Sequence, residues 1–286
     1  TVIPYRFEFA APRRRYKSAK FGRSLSGLQT GLGERMSPAG VPVQRALRWT
    51  TLGLVAVLGA AAFVTAADAR GRRHHRQAEA YDPPYSSIVV DANSGAVLQA
   101  TSADSARHPA SLTKIMTLYL LFERLEAGKI KMSTELPVSA HAAAQEPSKL
   151  DLKPGQSIDV DTAIRAIVTK SANDVAVFIA EALGGSEESF ARMMTAKARA
   201  LGMMHTVYRD ASGLPNDEQI TTARDMTILA RAIQDRFPQY YHYFSTRTFR
   251  YQGEEIRNHN HLLGRIAGVD GMKTGYIHDS GFNIVV

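Results

Sequence analysis

The chain has 286 residues, no cysteine and a formal net charge of +8. A chain without cysteine has no disulfide bonds, cysteine nucleophile or thiolate metal site. The charge is unevenly distributed, since residues 1–80 carry 14 Lys/Arg against 4 Asp/Glu, whereas residues 81–286 carry 21 against 23. The larger part of the chain therefore lacks a basic face for DNA or RNA, and no nucleic-acid partner is expected.

Three segments precede that larger part. Residues 1–35 contain an Arg-Arg-Arg run and little apolar periodicity, which indicates a disordered basic arm or an upstream artefact. Residues 36–69 combine two arginines, an uncharged run and an Ala-Asp-Ala sequence, an order typical of a secretory signal peptide. A retained membrane anchor is the alternative for this segment. Residues 70–84 are basic and end in two prolines, so a linker is predicted.

The predicted elements of residues 85–286 begin with a β-hairpin. Residues 86–90 and 96–100 are rich in strand-forming residues, and the turn between them contains Asn and Gly. A helix follows Ser111 and ends near Gly128. Because this helix is apolar on nearly every face, it is expected to lie in the protein interior.

The middle of the sequence is mostly helical. Residues 137–155 have no clear period and contain three prolines, so a loop is predicted there. Helices are predicted over 160–170, 174–183 and 189–201, and from Thr222 to a break at Phe237-Pro238. Strands are predicted at 249–251, 271–276 and 282–286. Strands at both ends with helices between them predict a mixed α/β (α+β) body carrying an α-helical subdomain, with the site in the cleft between the two.

Three short motifs occur in one order along the chain: Ser111-Leu-Thr-Lys114, Ser171-Ala-Asn173 and Lys273-Thr-Gly275. The spacing of the first motif places serine and lysine one helical turn apart, where the amine can take the proton of the hydroxyl. About one S-x-x-K is expected by chance in a chain of this length. The three motifs together, in this order, are typical of β-lactamases and penicillin-binding proteins. They predict a serine acyl-transfer site with a lysine base.

Five separated motifs carry a resemblance to a known family. They are Pro109-Ala-Ser-Leu-Thr-Lys-Ile-Met-Thr117, Ser171-Ala-Asn-Asp-Val175, Ala211-Ser-Gly-Leu-Pro215, Thr222-Ala-Arg-Asp-Met226 and Gly268-Val-Asp-Gly-Met-Lys-Thr-Gly-Tyr276. Over residues 85–286 the chain resembles the low-molecular-mass penicillin-binding proteins, which are serine-type D-alanyl-D-alanine carboxypeptidases. The resemblance implies a penicillin-binding D,D-peptidase domain with the β-lactamase/transpeptidase-like fold, an antiparallel sheet flanked by helices plus a helical subdomain.

The resemblance also implies the substrate and the partners. Peptidoglycan stem pentapeptides would lose their terminal D-alanine through an acyl-enzyme, and β-lactams would acylate the same serine. No cofactor is implied. The enzyme would be exported, in the periplasm or on the outer face of the cytoplasmic membrane, and would serve cell-wall biogenesis and cell shape. Membrane association through the N-terminal segment is the accompanying expectation.

Site roles follow from the resemblance residue by residue. Ser111 would be the nucleophile and Lys114 its general base. Ser171 would be the proton relay, and Asn173 would contact the substrate amide. The terminal carboxylate would be held by Lys273, Thr274 and Gly275, and the oxyanion hole would be formed by the backbone N–H groups of Ser111 and Tyr276.

Two further expectations concern charge and metals. A lysine base needs a lowered pKa, which we expect from burial of Lys114 and from the second cation at Lys273. No metal is expected, because the chain has no H-E-x-x-H sequence and the pair His259 and His261 lacks a third ligand.

The end of the sequence departs from the family pattern. The chain stops at Val286, where the family continues with at least one more sheet strand and a closing helix. The C-terminal end of the sheet is therefore expected to be incomplete and to leave an open edge.

Three other functions use similar residues. A D,D-endopeptidase acting on peptidoglycan crosslinks would need the same groups, and the sequence does not separate it from a carboxypeptidase. A β-lactamase is disfavoured, because the chain contains no E-x-x-L-N sequence for deacylation. A non-catalytic penicillin-binding sensor is the remaining alternative.

Overall fold

The structure is a computed structural model that describes residues 4–10 and 82–286. Its strands are β1 (Pro4–Ala10), β2 (Ser86–Asp91), β3 (Val97–Thr101), β4 (Glu135–Pro137), β5 (Ser157–Asp159), β6 (Thr248–Tyr251), β7 (Glu254–Arg257), β8 (Lys273–Ile277) and β9 (Gly281–Val285). Its helices are α1 (Thr113–Glu126), α2 (Ala140–Ala143), α3 (Val160–Thr169), α4 (Asn173–Gly184), α5 (Glu187–Leu201), α6 (Ala223–Arg236) and α7 (Pro238–Tyr241), with 3-10 turns at Ala110–Leu112 and His242–Ser245.

One five-stranded antiparallel sheet organises the fold, in the order β3-β2-β1-β9-β8. Strands from both ends of the sequence meet in it, and the helices come from the middle, so the predicted mixed α/β class is confirmed. Strand β8 lies at one edge, and β4 with β5 and β6 with β7 form two small separate sheets. As an edge strand, β8 keeps one row of backbone N–H and C=O groups outside the sheet.

The position of β1 bears on two expectations. Residues 4–10 form the middle strand, paired antiparallel with β2 on one side and with β9 on the other. The sequence predicts a disordered arm or an upstream artefact in residues 1–35, and an open edge at the C-terminal end of the sheet. Both backbone edges of β9 are instead paired, by β1 and by β8. Residues 11–35, the predicted signal or anchor at 36–69 and residues 70–81 of the predicted linker lie outside the described residues.

Helix α1 is the centre of the core. Every residue from 113 to 122 is buried, Lys114 included, so all sides of this part of the helix are covered. Such all-round burial explains why its sequence is apolar on nearly every face, and each large apolar side chain contributes roughly 1.5–3 kcal/mol by leaving water. The phenyl ring of Phe237 packs edge-on against Phe122 and so connects α1 to the end of α6.

The predicted helix boundaries agree with the structure to within two residues. Ser186 caps α5, since its Oγ accepts a hydrogen bond from the backbone N–H of Ser189 at 3.1 Å. Gly202 ends the same helix in the left-handed conformation, φ +89°. Thr222 caps α6 by accepting from the N–H of Asp225 at 3.0 Å. Serine, threonine and glycine at these places are therefore boundary signals that a sequence displays directly.

The predicted loop at 137–155 contains short elements and is tied to α4. Leu136 and Ile158 pair across β4 and β5, and α2 lies between these strands in sequence. The buried carboxylate of Asp174, in the first turn of α4, accepts backbone hydrogen bonds from Leu150 at 2.9 Å and Leu152 at 3.4 Å. This carboxylate replaces the missing regular structure as the anchor of the loop.

No helix within residues 82–286 is both long enough and apolar enough to cross a membrane.

Candidate active site

Ser111 lies in the 3-10 turn that leads directly into α1. Ala110, just before it, has φ +49°, a conformation that L-residues adopt rarely and at a cost of about 1–2 kcal/mol. Two glycines approach this turn closely. A Cβ on Gly213 would lie 1.8 Å from the Ala110 carbonyl oxygen, and one on Gly275 would lie 3.0 Å from the Ser111 nitrogen. The backbone around the serine is therefore held from two sides by segments that have no room for a side chain.

Lys114 is fully buried one turn along from Ser111. Its Nζ lies 3.2 Å from Ser111 Oγ, 2.7 Å from Asn173 Oδ1 and 2.5 Å from the backbone oxygen of Ser212. Thus α1, α4 and the loop before α6 meet at one amine. The first two sequence motifs, predicted to act together, are brought together here.

The three contacts of Lys114 orient its lone pair. Asn173 Oδ1 and the Ser212 carbonyl can only accept hydrogen bonds, whereas a serine hydroxyl can also donate. A neutral amine has two N–H donors, and the two obligatory acceptors take both. The remaining tetrahedral direction of Nζ, its lone pair, then faces the hydroxyl of Ser111. The arrangement presents a neutral Lys114 as a hydrogen-bond acceptor for that hydroxyl, which is the geometry a general base requires.

Asn173 is engaged at both ends of its amide. Its Oδ1 accepts from Lys114, its Nδ2 donates to the backbone oxygen of Glu146 at 2.7 Å, and its backbone N–H donates to the Ser148 oxygen at 2.6 Å. These contacts make Asn173 a positioning partner of the lysine. Its predicted contact with a substrate amide stays a prediction.

Ser171 stands two residues before Asn173 in a strained conformation, φ +61°. Its Oγ is buried, and no described group hydrogen-bonds to it. A buried hydroxyl held in a costly backbone conformation without a partner is typical of functional positions. Its role as proton relay stays a prediction, since no contact in the described residues joins it to Ser111 or Lys114.

The third motif forms the start of edge strand β8. Lys273 is buried and its Nζ donates to the backbone oxygen of Thr274 at 2.8 Å. Gly275 lies against the Ser111 turn, as its close approach shows. Tyr276 is 56 % exposed, and its ring lies 4.6 Å from the ring of Phe282 on β9. The motif therefore places backbone groups of an edge strand beside Ser111.

Burial dominates the electrostatics of both lysines. It lowers the pKa of Lys114 to about 7, and the carboxylates of Asp210, Asp174 and Glu187 act in the opposite direction. Burial also holds the pKa of Lys273 well below its usual range, and the charge of Lys114 lowers it further. The pKa of Lys114 is lowered, as the sequence predicts, and burial is the dominant cause. The charge repulsion between the two amines lowers the pKa of Lys273.

One part of the site had no predicted role. The segment around Ser212 supplies the shortest contact to Lys114, and Thr117 Oγ1 donates to the Ala211 oxygen at 2.7 Å, which ties the segment to α1. The sequence showed this segment only as the motif Ala211-Ser-Gly-Leu-Pro215. A backbone carbonyl carries no residue-type signal, so only Gly213, with φ +85°, marks the tight approach in the sequence.

No group of three or more His, Cys, Asp or Glu side chains in residues 82–286 is arranged to hold a metal ion. His259 lies within electrostatic reach of Lys273 and His261, and burial together with these neighbours lowers its pKa.

Comparison with known proteins agrees with this geometry. The sequence profile of the family described as D-alanyl-D-alanine carboxypeptidase matches residues 75–286. The chain is 36% identical over 205 residues to the D-alanyl-D-alanine carboxypeptidase DacA of Escherichia coli K12, covering 69% of this chain and 51% of DacA. It is 28% identical over 209 residues to a D-alanyl-D-alanine endopeptidase of Pseudomonas aeruginosa, covering 70% of this chain and 66% of that protein.

The fold is similar to that of penicillin binding protein 5 from Haemophilus influenzae, with a TM-score of 0.67, 31% identity and coverage of 71% of this chain and 62% of that one. The expected β-lactamase/transpeptidase-like architecture is thereby confirmed. The chain spans about half the length of the DacA protein that it matches. The family match extends over the three motifs and four of the five strands of the sheet, and the chain belongs to the D-alanyl-D-alanine carboxypeptidase family, Peptidase S11.

Proposed function

We propose that the protein is a serine D,D-carboxypeptidase that removes the terminal D-alanine from peptidoglycan stem pentapeptides through an acyl-enzyme. The observation that carries the proposal is the contact set of Lys114, which directs the lone pair of a neutral, buried amine toward Ser111 Oγ. Family membership supports the same reaction. β-Lactams would acylate Ser111 as substrate mimics, as the name of the similar penicillin binding protein suggests.

Acylation would begin with transfer of the Ser111 proton to Lys114. The serine oxygen forms a bond to the carbonyl carbon of the penultimate D-alanine, and the carbonyl oxygen becomes an oxyanion. The backbone N–H groups of Ser111 and Tyr276 would hydrogen-bond to that oxyanion, each contributing roughly 3 kcal/mol in comparable hydrolases. The approach of Gly275 to the serine supports this placement, because it leaves the oxyanion within reach of both segments.

Collapse of the tetrahedral intermediate breaks the C–N bond. The leaving D-alanine nitrogen takes up one proton, which Ser171 would pass on from Lys114. A water molecule then attacks the ester, again with Lys114 as base, and restores the free serine and a shortened peptide. The buried hydroxyl of Ser171, which lacks a partner within the described part of the chain, supports its assignment to the proton transfer.

Lys273 would recognise the free carboxylate of the terminal D-alanine, together with Thr274. Burial and Lys114 favour the neutral amine before substrate arrives. An arriving carboxylate within about 4 Å favours the ammonium form and raises the pKa again. The ammonium would in turn favour neutral Lys114, so substrate binding and activation of the base would support each other.

The first test is covalent labelling. Ser111→Ala is expected to abolish labelling by a fluorescent penicillin, whereas Ser94→Ala, on an exposed turn, should label like the unmodified protein. Full labelling of Ser111→Ala would overturn the assignment of the nucleophile. Rapid turnover of a chromogenic cephalosporin, above about one per second, would instead favour a β-lactamase.

A second candidate is D,D-endopeptidase activity on crosslinks, favoured by the similarity to the Pseudomonas aeruginosa endopeptidase. Mass spectrometry of muropeptide products separates the two. Loss of one alanine from a pentapeptide supports the carboxypeptidase, and conversion of crosslinked dimers to monomers supports the endopeptidase. Acylation by penicillin without either product would identify a sensor.

We also propose that the enzyme works outside the cytoplasm, in the periplasm or on the outer face of the cytoplasmic membrane. Its substrate class supports this location, and residues 36–69 would serve as the export signal or anchor. Protease protection in intact spheroplasts tests it, since an exported enzyme is digested without lysis.

A further inference from the structure

Residues 209–213, the base loop, are held almost entirely by side chains. Five consecutive backbone N–H groups donate to side-chain oxygens: Arg209 and Asp210 to Gln219 Oε1 at 2.8 and 3.1 Å, Ala211 to Glu187 Oε1 at 3.1 Å, and Ser212 and Gly213 to Asp210 Oδ1 at 2.7 and 2.5 Å. No ladder or helix fixes these five residues. Their conformation depends on three side chains.

The base loop contacts both reacting residues. Its Ser212 carbonyl accepts from Lys114 Nζ, and its Gly213 lies against the carbonyl of Ala110, the residue before the nucleophile. A shift of the loop would therefore move an acceptor of the base and also the backbone of Ser111. An error of about 1 Å in such a position costs roughly 100-fold in rate.

Asp210 is the centre of the base loop. Its Oδ1 accepts from the two N–H groups on either side of the Ser212 carbonyl and from Ser212 Oγ at 3.2 Å, and its Oδ2 accepts from Gln219 Nε2 at 2.8 Å. None of the hydrogen bonds or ion pairs within residues 82–286 joins Asp210 directly to Lys114. The carboxylate acts through the peptide that it holds and through its charge.

We propose that Asp210 is a positioning residue of the acylation step, which holds the Ser212 carbonyl on the Lys114 amine and brings a negative charge near that amine. The inference rests on the proposed acyl-transfer function of Ser111 and assigns a role to a carboxylate outside the three catalytic motifs.

The charges around Lys114 determine the direction of the effect. Asp210 faces it from the base loop, Asp174 from α4, Glu187 from α5, Lys273 from β8 and His259 from the segment between β7 and β8. Among the three carboxylates, Asp210 raises the pKa of Lys114 most, against the larger effect of burial. Removing its charge therefore lowers that pKa, and the neutral base persists to more acidic pH.

The experiment measures the second-order rate of acylation by a fluorescent penicillin between pH 5 and pH 9 in the full chain. In a plot of this rate against pH, the rate falls on the acid side of the profile, here called the acid limb. For the unmodified protein the midpoint of the acid limb should lie near pH 7, the pKa of Lys114. Asp210→Asn keeps a side-chain oxygen for the two loop N–H groups. Its acid limb is expected to move down by about one pH unit. Asp217→Asn, an exposed carboxylate nearby, is the matched control and should leave the limb in place.

A second variant controls for the loss of the hydrogen bond between residues 210 and 219. In Asp210→Asn alone, the new amide N–H faces Gln219 Nε2, so two donors meet. Asp210→Asn/Gln219→Glu restores a donor–acceptor pair there and moves the negative charge from the group that contacts Ser212 to the group that contacts Arg209. Its acylation rate at pH 8 should exceed that of the single variant, and its acid limb should lie between those of the single variant and the unmodified protein.

The outcomes separate the two proposals. No acylation of the unmodified protein at any pH would overturn the proposed function itself. Normal acylation of the unmodified protein, with an acid limb at the same pH in both Asp210 variants, would overturn the role of Asp210 while leaving the function intact. A loss of rate without a shift has the same meaning, because it is the result of a merely structural role.

Discussion

Lys114 Nζ lies 2.7 Å from Oδ1 of Asn173, a neutral amide, and no carboxylate in residues 82–286 forms an ion pair with this buried amine. A neutral acceptor can fix the position of an amine without stabilising its charged form. A carboxylate at the same place would fix the position and also favour the ammonium. An asparagine at this position therefore suits the proposed role of Lys114 as a base.

Asn173→Asp tests this point. The new carboxylate should raise the pKa of Lys114 above its value of about 7, so the amine is protonated at neutral pH and acylation by penicillin falls at least about tenfold there. The acid limb of the pH–rate profile should move to higher pH. Asn216→Asp adds the same charge on an exposed segment and should change neither quantity. An unshifted profile in Asn173→Asp would show that the neutral amide is not needed.

The stability of the protein should also depend on Lys114. Its folded-state pKa of about 7 lies below the ordinary value of 10.5, so between these pH values the unfolded chain binds more protons than the folded one. The free energy of unfolding contributed by this group therefore rises with pH in that window, by up to about 1.4 kcal/mol per pH unit. Lys273 contributes in the same direction, whereas the raised pKa of buried Tyr208 opposes it only above pH 10.

Urea unfolding at pH 7.5 and pH 9.5 measures this dependence. Lys114→Met should reduce the gain in free energy of unfolding between the two pH values by roughly 2.5 kcal/mol, slightly less than the full slope over two pH units. Lys131→Met, an exposed lysine, provides the reference. Equal gains in Lys114→Met and in the unmodified protein would mean that the lysine has an ordinary pKa in the folded state.

Much of the fold and the site could be predicted from the sequence, for identifiable reasons. Helix ends such as Ser186 and Gly202 use residue types that the backbone geometry favours, and the three motifs are recognisable because their proposed roles depend on side-chain chemistry. The base loop could not be predicted, because Ser212 acts through its carbonyl, which every residue type possesses. The role of Asp210 could not be predicted either. Aspartate is common on protein surfaces, so its presence in a sequence does not indicate that its carboxylate accepts hydrogen bonds from backbone N–H groups.

Gly213 should tolerate no side chain, for a steric reason that can be separated from its conformation. Its φ of +85° is close to the +89° of Gly202, but a Cβ on Gly202 meets nothing within 4 Å, whereas one on Gly213 would meet the Ala110 oxygen at 1.8 Å. Gly202→Ala should cost about 1–2 kcal/mol of backbone strain and leave acylation unchanged. Gly213→Ala should cost roughly 3 kcal/mol more and displace the Ser111 turn.

The measurements for this pair are the free energy of unfolding and the acylation rate. Gly213→Ala is expected to lose about 100-fold in rate or more, since the nucleophile moves relative to Lys114. Equal stability and equal rate in the two variants would contradict the close approach of the base loop to Ser111.

The position of strand β1 in the sheet leads to a prediction about cleavage of the chain. Residues 4–10 pair with β2 and with β9, so backbone groups along both edges of β1 take part in the sheet. Cleavage near Ala69, as predicted for a secretory signal, would separate these residues from strands β2, β3, β8 and β9. A chain cleaved there would no longer carry β1 on the same polypeptide as the other strands of the sheet. The contribution of β1 to the stability of the full chain therefore shows whether the sheet depends on this strand.

Glu8→Pro in the full chain measures that contribution. Proline removes the backbone N–H at residue 8 and leaves a ladder acceptor unpaired, so the free energy of unfolding should fall by roughly 2 kcal/mol or more. Glu8→Gln retains the N–H and is the matched control. Because β9 pairs directly with β8, which carries Lys273, acylation by penicillin should weaken in parallel with stability. Identical stability in the two variants would show that the sheet around the active site does not depend on β1, as expected for an enzyme that is active after cleavage.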